Sequence, residues 1–138
     1  MTMSFDTKIA IVVRDDLQTW QKLNVTAYIA SALLGGSLAR IGENYQDASG
    51  NLYLPMVIQP MMIYAADGAG IRKAYGRAME RGMKIAIYTR DLFSTANDID
   101  NRAAVRTRTA DELDLVGLAL CDLKKEVDKA IKGLKFHS

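Results

Sequence analysis

From Lys8 to Arg14 the chain reads Lys-Ile-Ala-Ile-Val-Val-Arg, an apolar, β-branched run without alternation. Such a run marks a strand covered on both faces of an α/β sheet, so it predicts a central strand. From about Leu23 to Ile41, Val25, Tyr28, Ile29, Ala32, Leu33 and Gly36 recur at helical spacing, with Asn24 as N-cap and Gly42 as stop. Small residues in this segment (Ala27, Ala30, Ser31, Ala32, Gly35, Gly36) suit close packing on the sheet or on a second subunit. Tyr45 to Leu54 flanks the turn cluster Ala48-Ser-Gly-Asn51 and predicts a surface hairpin.

Met56 to Ala65 is the next apolar stretch; Pro60 within it cannot donate to a ladder and favours an edge or a bulge. Ile71, Ala74, Tyr75, Ala78 and Met79 form a second helical stripe that Gly82 ends, and Lys84 to Thr89 predicts a short strand. Asp91 to Asp111 is polar, lacks periodicity and reads as a long connection of the kind that often carries function. Leu113 to Leu120 predicts the last strand. Leu123, Val127, Ala130, Ile131 and Leu134 form the apolar face of a closing helix capped by Asp122. The predicted fold is one α/β domain over residues 1–138, a four-stranded mixed sheet flanked by helices.

Composition narrows the chemistry. The 138 residues, 49% hydrophobic and 25% charged, match a single globular domain. No apolar run approaches the roughly 20 residues of a membrane span, and the first residues have neither a basic region nor an apolar core of a signal peptide. A soluble, cytoplasmic protein is expected. One cysteine, Cys121, and one histidine, His137, argue against a disulfide framework, a Cys/His metal site and any imidazole-based triad. No metal or cofactor is expected, and catalysis would have to run on Asp, Glu, Lys, Arg, Thr, Tyr or backbone groups.

The net charge of +2 is unevenly spread: Arg72, Lys73, Arg77, Arg81, Lys84 and Arg90 are set against Glu80 alone, whereas Gly42 to Ala69 contains no Lys or Arg. This is a candidate basic face for nucleic acid, or an ordinary solvated helix surface. Gly68-Ala-Gly70 follows a strand and opens a helix, but Lys73 stands where a dinucleotide fingerprint needs its third glycine, so the pair reads as a turn into the helix.

Arg14-Asp15-Asp16-Leu17 lies where the first strand ends, at the edge where open α/β sheets form ligand crevices. Asp91 follows the third strand toward the same edge, and Thr107, Arg108 and Thr109 precede the fourth. Lys22 starts a helix, where a cation opposes the helix dipole. An Asp orienting water, with Lys or Arg holding an anionic substrate, would suffice to hydrolyse an activated ester. The same residues also fit an Asp-rich turn and a strand terminus.

Read as a series, Lys8-Ile-Ala-Ile-Val-Val-Arg-Asp-Asp-Leu17, Lys22 and the Ala-rich helix resemble the opening of the type II peptidyl-tRNA hydrolases. Thr107-Arg-Thr109 and Leu115-Val-Gly-Leu-Ala-Leu-Cys-Asp122 resemble the end of that family. The chain departs from it at Gln18-Thr-Trp-Gln-Lys22, where the family has a Gly- and Lys-rich loop, at Asp91-Leu-Phe-Ser-Thr95, and at Ala110 to Asp114, which looks inserted. It is also similar to an uncharacterised bacterial sister family of the same fold.

The resemblance implies a site of Asp16, Lys22, Asp91 and Thr109 as catalytic groups, with Arg14 and Arg108 binding substrate; if tRNA is the ligand, the basic window with Arg72 and Lys73 is expected to meet its phosphates. Arg14, Asp16, Lys22 and Asp91 are expected to converge on one pocket. The implied activity is hydrolysis of peptidyl-tRNA or a related acyl ester. The competing reading is a non-catalytic module holding a small anionic ligand or a partner at the same edge. A homodimer is expected by analogy with that family and from the small residues of the first helix.

Overall fold

The computed structural model describes residues 5–35 and 41–138. Its main sheet has five strands, not four: β1 (Thr7–Arg14), β4 (Met61–Ala66), β5 (Ile85–Thr89), β6 (Leu115–Leu123) and β7 (Lys135–Phe136), in the order β5-β6-β1-β4-β7. β1 runs parallel to β4, while the pairs β1/β6, β5/β6 and β4/β7 are antiparallel. The extra strand β7 has two residues, too short for any periodicity to announce it.

β1 is central, as its pattern predicts, and Ile9 to Val13 are at most 1% exposed. Ile9, Ile11 and Val13 face one core with Val25 and Ile29 of helix α1 (Thr19–Ala32), whereas Ala10 and Val12 face another with α2 (Gly68–Glu80) and α4 (Lys124–Ala130). Each buried Ile or Val contributes about 1.5–3 kcal/mol relative to exposure, so this strand fixes the layering.

Helix α1 starts earlier than its apolar spacing suggests. Gln18, not Asn24, is the N-cap: its backbone N–H donates to Gln21 Oε1 at 3.0 Å in a capping box. The helix passes into a 3-10 turn at Leu33–Gly35; the expected extension through residues 36–40 lies outside the described residues. The hairpin forms as expected from β2 (Tyr45–Gln46) and β3 (Leu52–Tyr53). β4 begins immediately after Pro60, which therefore owes no hydrogen bond to the ladder. Asp67 caps α2, accepting from Gly70 N at 2.7 Å, and Gly82 at φ +65° follows its end.

The stretch from Asp91 to Asp111 is not an unstructured connection. It contains a 3-10 turn at Arg90–Ser94, helix α3 (Asp98–Arg106) and a second 3-10 turn at Ala110–Glu112. The closing helix starts at Lys124 with Leu123 as its cap, because β6 runs on past Asp122. No helix among the described residues is long and apolar enough to cross a membrane.

Candidate functional site

The carboxyl ends of β1, β4 and β5 and the start of β6 meet at one end of the sheet. A bulge sits there: Tyr88 pairs with Gly117 but Thr89 with Leu115, so Val116 is extra and Asp114 turns toward Arg90, whose N–H donates to Asp114 O at 3.0 Å. Arg14 Nε and Nη2 donate to the two oxygens of Asp16 at 3.1 and 2.9 Å. Its Nη1 reaches Asp114 at 3.2 Å and Leu115 O at 3.0 Å. Arg90 closes the ring, donating to Asp114 at 2.8 Å and to Asp16 at 3.4 Å.

Two guanidinium groups and two carboxylates thus neutralise one another. Burial alone would lower the pKa of Arg14, but the hydrogen bonds and charges of Asp16 and Asp114 outweigh it and the value is raised. The Arg14 hydrogen bond, opposed by burial and reinforced by the charges of Arg14 and Arg90, lowers Asp16 below the usual carboxylate range.

Beside this ring, Arg108 Nε donates to Asp91 at 2.6 Å, a bond that lowers the Asp91 pKa. Thr109 caps the turn at Ala110–Glu112, its N–H donating to Glu112 Oε1 at 2.8 Å. Arg72 is committed to the same turn: it donates to Ala110 O at 2.9 Å and Leu113 O at 2.7 Å and lies over the Tyr75 ring. Lys73 is exposed on α2.

Lys22 stands on α1, which covers the sheet face opposite α2, and joins neither group of ion pairs among the described residues. The expected convergence therefore divides: Arg14 and Asp16 share one network, Asp91 and Arg108 form a neighbouring pair, and Lys22 is in neither.

None of these residues lines the open pocket nearby. A cavity of about 300 Å³ lies between α1, the turn Arg90–Ser94 and the start of α3. Trp20, Asn24 and Tyr28, one stripe of α1 at four-residue spacing, form one wall, and Thr95 to Asp98 with Asn101 form the other. Tyr88, Leu92 and Phe93 complete it. The rings run in contact, Trp20 to Phe93 to Tyr88 to Tyr28, with centroids 5.8, 5.2 and 6.2 Å apart. Burial raises the Tyr88 pKa, so its phenol stays neutral. The Thr95 hydroxyl donates to Leu92 O at 3.0 Å and touches the Asn101 side chain, holding turn and helix together. Asn97 spends its side chain on Asp100, capping α3.

No local signal in the sequence marks Arg90 and Asp114 as partners at the sheet end, or the aromatic wall as a pocket. Trp20, Asn24 and Tyr28 form a stripe once the helix starts at Thr19, whereas with Asn24 as the cap Tyr28 falls on the apolar face. The structure instead leaves Tyr28 61% exposed.

The family profile described as "Protein of unknown function (DUF2000)" matches residues 7–138. A solved structure, the protein of unknown function Atu0240 from Agrobacterium tumefaciens strain C58, is 42% identical with a TM-score of 0.93. The match covers 98% of this chain and 100% of that one. Curated proteins give no match. Neither description assigns an activity, and neither links the chain to the peptidyl-tRNA hydrolases.

Proposed function

The chain belongs to the DUF2000 family, and from its geometry we propose that it is a binding module that takes a small, flat, uncharged heteroaromatic ligand in the cavity between α1 and α3. The observation that carries this reading is the composition of the cavity walls. Four aromatic rings supply stacking surface, and the amides of Asn24 and Asn101 supply donors and acceptors for a ring edge. The size, about 300 Å³, falls at the lower end of small-molecule sites. The lining contains no Lys or Arg, and its one charged group is the Asp98 carboxylate, which also pairs with Arg102 at 2.9 Å. That lining favours a neutral ligand over an anion.

Ester hydrolysis at the charged sheet edge is the second reading, favoured by the gathering of Arg14, Asp16, Asp91 and Arg108 there. Electrostatics weigh against it. A general base works best with a pKa near the working pH, whereas both candidate carboxylates are held below the ordinary range by arginines. Arg14 spends all three nitrogens on protein oxygens and has little left for a substrate.

Trp20 is the sole tryptophan and sits at the cavity lip, so its fluorescence reports occupancy directly. Titration with a panel of neutral nucleobases, nicotinamide and isoalloxazine compounds should find a saturable quench that Asn101→Ala and Tyr28→Ala weaken. A parallel assay should show no release of peptide from peptidyl-tRNA. No quench by any compound, together with hydrolysis abolished by Asp91→Ala and Lys22→Ala, would replace the first reading with the second.

A further inference from the structure

We propose that the β2–β3 hairpin is an arm through which two copies of this chain associate, each arm seated in an apolar hollow of the other copy. Every residue from Glu43 to Leu54 is exposed. The arm is fastened at its base by the Ile41–Val57 bridge and by Gly42 N donating to Met56 O at 2.9 Å. An isolated two-stranded hairpin is marginal in water at best, so its order needs another source.

Part of that source is internal. Asp47 Oδ1 accepts from Ser49 N and Asn51 N at 2.9 and 3.0 Å, its Oδ2 accepts from the Tyr53 hydroxyl at 2.7 Å, and Gly50 supplies the positive φ of +91° that the turn requires. The arm is thereby shaped in advance of any partner, which lowers the ordering cost of association.

Its surface is that of an interface, not of a solvated loop. Tyr45 and Tyr53 pair across one face and Leu52 lies on the other, with Leu54, 85% exposed, following it. A flat partner would cover one face; a hollow receives both. From Gly42 to Pro60 the charged residues are Glu43 and Asp47, and Asp47 is spent on the turn. Depletion of charge is what distinguishes the centre of an interface from ordinary surface. Met56, Ile58, Ile41 and Leu34 at the base are all at least 40% exposed, which makes eight large apolar side chains open on the arm and its base. At about 100 Å² apiece, half of a large side chain's area, they leave open roughly 800 Å². Monomers seldom leave so large a patch, and about 800 Å² is what each partner contributes to a standard interface.

The occupant is a second copy because this chain also carries the receptacle. A hollow of about 480 Å³, lined by Ala27, Ala30, Leu34, Ile41, Met56 and Val57, lies beside the arm's base. Arm and hollow on one chain make a self-complementary surface, so a two-fold axis satisfies both copies at once and the assembly closes.

The test is analytical ultracentrifugation of the full chain across micromolar concentrations, beside Leu54→Asp and Leu52→Asp. Both leucines are largely exposed, so circular dichroism should show that the variants keep the fold. The expected result is a dimer whose dissociation constant rises by at least about tenfold in each variant. A monomer throughout, or a dimer indifferent to both substitutions, overturns the proposal.

Discussion

Gly117 shows what a single position can carry. It lies in β6 beneath α1, and a methyl group built on it would run into Val25 Cγ1 while standing 3.2 Å from both Ile29 Cδ1 and Tyr88 Cβ. The helix approaches the strand that closely because nothing projects there. Gly117→Ala should therefore cost about 1–3 kcal/mol of stability, the usual range for overpacking a close-packed core. Gly76, inside α2 with nothing within 4 Å of its would-be methyl, is the matched control. Gly76→Ala should stabilise by about 0.5–1 kcal/mol, since alanine loses less backbone entropy in a helix. Urea unfolding of both variants checks the pair, and a Gly117→Ala protein as stable as its parent would mean that α1 does not rest on β6 as described. The same scale explains what the sequence conceals. Arg14 and Asp16 are neighbours along the chain and were legible together, but Asp114 is 100 positions from Arg14 and Arg90 is 74 from Asp16. Nothing local marks these two as partners; the strand order and the bulge do.

Among the elements, α1 starts earlier than its apolar pattern suggests and α3 leaves no pattern at all, for opposite reasons. Helix α1 is apolar on more than its buried side: Val25 and Ile29 enter the core, Trp20 and Tyr28 line the cavity, and Ala27 and Ala30 line the hollow beside the hairpin. An apolar pattern serving three surfaces cannot reveal which one is the core. Helix α3 has no buried residue and so leaves no apolar stripe to detect. Its boundary chemistry was nevertheless present, with Asn97 as cap, Asp98 and Asp100 in the first turn and Arg106 in the last. Because α3 gains so little from burial, its cap should matter more than usual. Asn97→Ala should destabilise the helix by about 1 kcal/mol, seen as faster amide exchange across Asp98–Arg106 with the central sheet unchanged. The substitution should also weaken ligand binding, since Asn101 stands on this helix and lines the cavity. Unaltered exchange in α3 would show that packing, not capping, holds it.

For the molecule as a whole, the question is whether its uneven charge makes it a tRNA-binding surface. Along the sequence, the window from Arg72 to Arg90 looks like a basic face. In three dimensions much of it is already engaged. Arg72 holds the carbonyls of Ala110 and Leu113, Arg77 donates to Lys132 O at 2.9 Å, Arg81 pairs with Glu126 at 2.9 Å, and Arg90 belongs to the sheet-end ring. A carbonyl does not cancel a guanidinium charge, but it fixes the group against the protein, and phosphate must compete for the same donors. Of this window Lys73 and Lys84 remain as exposed cations, with Lys22 on the other side of the sheet. Each neutralised phosphate steepens the dependence of log affinity on log salt by about 0.7–0.9, so contacts from two or three lysines give a slope of roughly −2. So few phosphate contacts should leave binding too weak to detect at physiological salt. Arg72→Ala should then act chiefly on stability, by releasing the Ala110–Glu112 turn from α2, rather than flattening a salt slope. Titration of labelled tRNA across a salt series measures the first quantity and thermal unfolding of Arg72→Ala the second. A slope steeper than about −4, flattened by Arg72→Ala in a protein of unchanged stability, would restore the basic face as a nucleic-acid surface and with it the case for a tRNA substrate.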